Sequence, residues 1–188
     1  TWQHPSFVGE LFLGKFRDDL ILPYPLQPDE DRATGDEYIA RMREVLKDRI
    51  DADKIDEDGE IPDEAIEALA ELGAFGIKIP KEYGGVGLSQ MNYSRAMMFV
   101  ASHCGNTGAL LSAHQSIGLP QPLKLFGTKE QKERYYPRLA GGEISAFALT
   151  ETEVGSDPAN MSTKAELSED GTHFVLSGEK LWCTNGTR

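Results

Sequence analysis

Cysteine is scarce in this sequence. Only Cys104 and Cys183 occur in 188 residues, with no C-x-x-C pair, and His103 beside Cys104 makes no regular zinc spacing. A disulfide framework and a zinc ribbon are therefore excluded as expectations, and free thiols in a reducing compartment fit the pattern. Long apolar runs are also missing, since nothing approaches the ~18 residues of a membrane span. Positive charge is the minority: 19 Lys and Arg face 31 Asp and Glu, for a net charge of −12. That balance argues against nucleic acid and against a broad anionic-lipid surface. It leaves room for an anionic ligand held locally by backbone N–H groups. The opening Thr1-Trp2-Gln3-His4-Pro5 has neither the basic region nor the apolar stretch of a signal peptide. The start without Met suggests a true N-terminus upstream or removed. The stop at Thr187-Arg188, directly after a candidate binding strand, suggests a fragment, a processed chain or an interruption before a disordered segment.

A hydrophobic content of 39% supports an ordinary packed core. The pattern divides the chain into an irregular extension with a short helix (1–34), a helical domain (35–143) and the incomplete start of a β domain (144–188). Phe7, Leu11, Phe12 and Phe16 fall at helical spacing and suggest a short helix docking an apolar face. Pro23, Pro25 and Pro28 interrupt any longer helix, and Asp29-Glu30-Asp31 reads as a solvated linker. Helices are expected over Tyr38 to Ile50, from Pro62 to Gly73, from Ser89 to His103, from Gly108 to Ile117, and from Thr128 to Gly141 with a capping box. After Gly142 the period changes. Ile144 to Leu149 and Lys180 to Thr184 read as short strands, and Asp170-Gly171 reads as the turn of a hairpin between Lys164–Leu167 and His173–Leu176.

Several chemical candidates fail on spacing. Gly84-Gly85-Val86-Gly87 lacks the third glycine of a dinucleotide fingerprint and follows no strand, so a tight turn is expected. Asp51 to Glu60 puts Lys54 and Ala65 where calcium ligands belong, so a solvated acidic turn is expected. His114 has no nucleophile and carboxylate at a recognisable spacing, and reads more as a satisfied packed group than as a ligand contact. The run Phe147 to Asp157 differs. A short apolar strand ends in the Thr150 hydroxyl, and Gly155-Ser156-Asp157 makes a small-residue turn whose backbone N–H groups could bind a phosphate or ring carbonyl oxygens. The bland alternative is an ordinary strand exit. Trp182 and Thr184, two apart, would share one face of a strand and could stack beside a planar ring and bond its edge. The alternative there is a core Trp with an unrelated Thr beside it.

The segments Thr150-Glu151-Thr152-Glu153-Val154-Gly155-Ser156-Asp157 and Trp182-Cys183-Thr184-Asn185-Gly186 resemble the flavin-binding segments of the acyl-CoA dehydrogenase family. Glu71 to Gly76, Pro80 to Leu88 and Leu125 to Lys132 resemble that family's N-terminal helical domain. Ala113 to Gly118, with the stretch from Ser6-Phe7 to Pro23-Tyr24-Pro25, resembles its very-long-chain branch. The resemblance implies an α+β fold: an all-helical domain, then the start of an antiparallel β-barrel-like middle domain. It implies FAD as cofactor, desaturation of long- or very-long-chain acyl-CoA between Cα and Cβ in fatty-acid β-oxidation, and electron-transfer flavoprotein as acceptor. Phe147, Ala148, Leu149, Thr150, Gly155, Ser156, Trp182, Cys183 and Thr184 would contact the flavin, and Ser156 the substrate as well. Gly105, Gly108, Ala109 and Gly118 would leave room for the acyl chain.

The family's base is a glutamate of its C-terminal helical domain, so no catalytic residue and no metal is expected in this chain. Thr152 stands where the family often has proline, and Cys183 where it has Ile or Ser. A homodimer or homotetramer, and a bacterial cytoplasmic or mitochondrial matrix location with peripheral inner-membrane contact left open, complete the implication. An idle assembly or scaffold relative and an acyl-CoA oxidase are the competing functions.

Overall fold

The computed structural model describes residues 5–187; the opening Thr1–His4 and the final Arg188, on which the expectations about the chain's two ends rest, lie outside the described residues. A short helix α1 (Phe7–Phe12) forms where the spacing placed it, capped by the Ser6 hydroxyl. It does not dock as expected: Phe12 is 89% exposed, and the ring of Phe7 packs edge to face on that of Phe16 at 5.8 Å. The expected linker Asp29-Glu30-Asp31 is instead the first turn of α2 (Asp29–Arg49), which therefore starts ahead of the boundary at residue 35. The reason is electrostatic. Three carboxylates sit at the positive end of the helix dipole, with Lys47 and Arg49 at the other end.

Asp51 to Glu60 is likewise not a simple turn. The Asp51 side chain accepts from the Lys54 N–H at 3.0 Å and starts α3 (Ala52–Asp58), which Gly59 ends in a left-handed conformation. α4 (Asp63–Glu71) and α5 (Gln90–His103, capped by Ser89) fall where periodicity put them. The helix expected from Gly108 starts three residues earlier as α6 (Gly105–Ser112) and continues as one turn of π-helix over Ala113–Ile117. α7 (Pro120–Phe126) is additional to the expected set. Its proline at the first helical position has no N–H to leave unmet, which suits a helix start. α8 (Lys129–Ala140) has the expected capping box between Thr128 and Gln131.

The helices enclose one main core. Met42 and Leu46 from α2, Ile55 from α3, Leu69 from α4, Val100 from α5 and Leu111 from α6 surround Phe75 and Ile77. Burial of each such side chain contributes roughly 1.5–3 kcal/mol. A smaller cluster of Ile79, Leu123, Tyr136, Leu139 and Ala140 seats α7 and α8. The Gly84–Gly87 loop is the tight turn that was expected, and most of its N–H groups are used within the domain: Gly84 donates to Lys81, Gly85 to Pro80 and Val86 to Gly76, with Leu88 just beyond donating to Ile77, at 2.8–3.2 Å. Among the described residues no helix is long and apolar enough to cross a membrane.

Beyond Gly142 the chain forms a two-stranded antiparallel sheet, β1 (Lys164–Leu167) with β2 (Phe174–Ser177), in the register Lys164 opposite Ser177 and Leu167 opposite Phe174. Asp170 closes the hairpin by accepting from the Ser168 and Thr172 hydroxyls at 2.7 and 2.9 Å. The architecture is thus a helical N-terminal part followed by a small antiparallel sheet. The expected strands 144–149 and 180–184 are reduced to isolated pairing at Phe147 and Thr184.

A polar knot locks α2 to α5. Buried Asn92 donates to the Asp31 carbonyl at 2.6 Å and accepts from Gln27 and Arg95 at 2.8 and 2.9 Å. A Cβ on Gly35 would lie 2.0 Å from the Asn92 amide oxygen. Gly35→Ala is therefore expected to displace Asn92 and leave its buried partners unmet, destabilising the fold by about 2 kcal/mol. Urea unfolding measures this, and an unchanged midpoint would contradict the packing described.

Candidate functional site

Ser145 fastens the C-terminal segment to the helices. Its N–H donates to Nδ1 of His114 at 3.0 Å, and its hydroxyl accepts from the Leu119 N–H at 3.1 Å. Its carbonyl accepts from the Asn185 amide at 3.3 Å, and the same amide reaches the Leu110 carbonyl at 3.2 Å. Asn185 holds this position with φ of 64°, a left-handed conformation that Asn tolerates better than most residues. A backbone N–H can only donate, so His114 Nδ1 is an acceptor and the neutral ring carries its proton on Nε2. Burial pushes the His114 imidazole down to about 4 from 6.5, so it is neutral at physiological pH. His114 is thus a buried structural group, stacked edge-on against Phe75 at 5.4 Å.

From Ser145 the chain runs into the first candidate segment, which meets the second. The Phe147 N–H donates to the Thr184 carbonyl at 3.2 Å, and the Leu181 N–H to the Thr150 carbonyl at 2.8 Å. In a regular antiparallel ladder, hydrogen-bonded pairs recur every second residue. Here the two bonds are three residues apart on each strand, an odd spacing that an undistorted ladder cannot give. Trp182 absorbs the difference with φ of 55°, in the left-handed region. The alternation that was expected to put Trp182 and Thr184 on one face is broken at that point, and the full strands do not form. Trp182 is 86% exposed, and Phe147, Ala148 and Thr184 are exposed beside it. Leu149, Thr150 and Cys183 are half-buried.

Glu151 then turns inward. Its N–H donates to the Val154 carbonyl at 2.8 Å, which tightens the turn. Its carboxylate is 6% exposed and saturated: Ser162 donates its N–H and hydroxyl at 2.6 and 2.7 Å, and Thr163 its N–H and hydroxyl at 2.9 and 2.5 Å. Lys180 completes the set at 2.8 Å. The ammonium, then the Thr163 and Ser162 donors, hold the carboxyl well below the usual carboxylate range. Lys180 also donates to the Leu149 carbonyl at 2.9 Å, so one ammonium ties both candidate segments together. Past the turn, Gly155 and Ser156 are exposed, and among the described residues no hydrogen bond claims the N–H groups of Gly155, Ser156 or Asp157.

The structure therefore gathers Phe147, Ala148, Leu149, Thr150, Trp182, Cys183 and Thr184 on two paired segments, with Gly155 and Ser156 on the turn that follows. The arrangement offers an exposed indole and several unclaimed amide donors, a set suited to a flat group with an acceptor-rich edge. The small residues divide. A Cβ on Gly108 would press on Ala101 at 3.0 Å, and one on Gly118 on the Ser145 hydroxyl at 2.3 Å, so these two glycines permit close packing rather than free space. A Cβ on Gly105 would meet nothing within 4 Å. Ala109 and Leu110 line an open hollow of about 660 Å³ whose other walls are largely polar, including Asp56, Asp58, Glu60 and Asn106, so it does not resemble an acyl tunnel. Sequence reasoning missed Ser145, Lys180 and Asn185 as organising residues. Among the described residues no group of His, Cys, Asp and Glu could hold a metal ion.

Residues 32–143 match the acyl-CoA dehydrogenase N-terminal domain, and residues 146–188 match the acyl-CoA dehydrogenase middle domain. The probable acyl-CoA dehydrogenase FadE10 of Mycobacterium tuberculosis is 52% identical over 185 residues, covering 98% of this chain and 28% of that protein. The human very long-chain specific acyl-CoA dehydrogenase of mitochondria is 40% identical over 186 residues, covering 96% of this chain and 28% of that protein. The crystal structure of an acyl-CoA dehydrogenase complexed with FAD from Bacillus anthracis superimposes with a TM-score of 0.72 at 33% identity, over 92% of this chain and 29% of that one. The chain thus spans 28% of the length of these curated relatives.

The two buried titrating groups predict the acid response. Unfolded His114 titrates near 6.5 and folded His114 near 4, so the unfolded state binds more protons between these values and stability falls as pH drops through that window. The slope reaches at most ~1.4 kcal/mol per pH unit. Glu151 keeps its stabilising charge above about 4.5 and loses it as pH falls below that value. Thermal melts against pH should therefore lose the upper stage in His114→Asn and the lower stage in Glu151→Gln. Superimposable profiles would contradict the two assignments.

Proposed function

The chain belongs to the acyl-CoA dehydrogenase family, and from that premise we propose that the full-length protein is an FAD-dependent dehydrogenase of long- or very-long-chain acyl-CoA thioesters. The observation that carries the reading is the pairing of residues 147–150 with 181–184. It puts an exposed Trp182 beside unclaimed backbone donors on an open face. A flavin ring presents acceptors along one edge of a flat aromatic body, and this donor set fits it.

FAD, when bound, would supply the hydride-accepting chemistry. The chain's own residues would bind and orient it. Thr150 offers its N–H and hydroxyl to the ring edge. Trp182 would pack on the ring, with Phe147 and Thr184 alongside. Donors held in place before charge accumulates on the ring lower the cost of that charge, because nothing has to reorganise. Ser156 and the N–H groups of Gly155 and Asp157 would meet FAD or the thioester end of the substrate. The proton acceptor at Cα would be a glutamate of the family's C-terminal domain, outside these residues. Electrons would leave to electron-transfer flavoprotein, from a homodimer or homotetramer in a bacterial cytoplasm or mitochondrial matrix.

The full-length protein is expected to be yellow and to bleach anaerobically with a long-chain acyl-CoA. A colourless protein that cannot be reconstituted with FAD would sink the reading. A yellow protein whose bound FAD does not bleach with acyl-CoA would favour an idle scaffold relative, and turnover with oxygen alone an oxidase. Trp182→Ala and Thr184→Ala should each weaken FAD retention about tenfold, or ~1.4 kcal/mol. Equilibrium dialysis of the apoprotein measures this.

A further inference from the structure

We propose that Lys180, held by Glu151, is a positioning residue that turns the Leu149–Thr150 peptide so that the Thr150 N–H is presented to the flavin edge. The inference rests on the flavin reading above and adds a residue that does not itself touch the ring. Its basis is the geometry of one peptide. A planar trans peptide sets its C=O and the following N–H on opposite sides. The Leu149 carbonyl points to Lys180 Nζ at 2.9 Å. The Thr150 N–H therefore points away from Lys180, and among the described residues no hydrogen bond claims it. The next carbonyl along, that of Thr150, is fixed by the Leu181 N–H at 2.8 Å. Pinned on both sides, the Thr150 amide has little freedom to rotate.

Lys180 is in turn held. Its side chain is 18% exposed and that of Glu151 is 5% exposed, and they pair at 2.8 Å. Four donors from Ser162 and Thr163 fix the Glu151 carboxylate from the other side. The chain of restraint thus runs from Ser162 and Thr163 through Glu151 and Lys180 to the Leu149 carbonyl, and ends at an amide with a free donor. A donor aimed by supporting contacts binds more tightly than one free to turn, because less order has to be imposed on binding. A purely structural clasp would need only the Glu151 contacts. The bond from Lys180 to the Leu149 carbonyl ties the pair to the candidate flavin wall itself.

The test compares FAD affinity and the visible flavin spectrum of full-length Lys180→Met, Lys180→Arg and Leu46→Ala with the parent. Leu46→Ala is a core change remote from the wall that controls for lost stability. The expected result is an FAD Kd about tenfold higher in Lys180→Met with a displaced flavin absorption band, partial recovery in Lys180→Arg, and parental Kd and spectrum in Leu46→Ala. Parental affinity and spectrum in folded Lys180→Met would overturn the proposal. If Lys180→Met does not fold, Glu151→Gln decides: removal of the countercharge should raise the Kd severalfold, and a parental Kd refutes the positioning role. A parent protein that takes up no FAD would overturn the flavin reading, and this inference with it.

Discussion

The hydrogen bonds around Ser145 are the main tie between the described residues after Gly142 and the helices. This one residue uses its N–H, its carbonyl and its hydroxyl, and each partner comes from a different stretch: His114 in the π turn, Asn185 near the chain's end, and Leu119 ahead of α7. Gly118 is bare because a side chain there would displace the Ser145 hydroxyl. The constraint matters because the β-forming part has little core of its own. Both strands of its hairpin are exposed along their length. Its placement is therefore set by directional bonds to a rigid helical support rather than by apolar burial.

Two glycine-containing turns show how a backbone is assigned to structure or to binding. The loop Gly84–Gly87 has donors in abundance, but Gly85, Val86 and Leu88 spend them on carbonyls of the same domain. The turn at Gly155–Asp157 spends none among the described residues. A sequence shows both as small-residue turns. Only the bookkeeping of donors separates them. The same test divides the charges. Asp31 is consumed by Ser89, Gln27 and Asn92, and Glu151 by Ser162, Thr163 and Lys180, so neither is free for chemistry.

Much of the helical part was legible because period and caps agree. Ser89 and Thr128 sit before apolar repeats, and α5 and α8 start behind them. α2 began early because an acidic run can be read as solvated or as dipole-matched, and composition does not decide between them. α3 was hidden because only Ile55 of its seven residues is buried. The α6 region misled because its small residues show no amphipathic stripe, so its start at Gly105 lies three residues ahead of the expected one. In the site, residue identity located the two converging segments. The kink at Trp182 could not be foreseen, because positive φ at a Trp is enforced by tertiary pairing and not by local preference. Lys180 and Ser145 were passed over for a similar reason. A single Lys or Ser has no motif, and its role exists only when distant carbonyls are brought to it.

The amide of Asn185 reaches back 75 residues to the Leu110 carbonyl and 40 to that of Ser145. On a ribosome this imposes an order of assembly. α6 and the π turn are made before the side chain that closes over them, and the apolar core that α6 shares with α2 to α5 needs no residue beyond Ile144. The clasp shuts only when the last stretch of the segment has left the exit tunnel. Until then the nascent chain carries residues 147–150 without the partners that residues 181–184 supply.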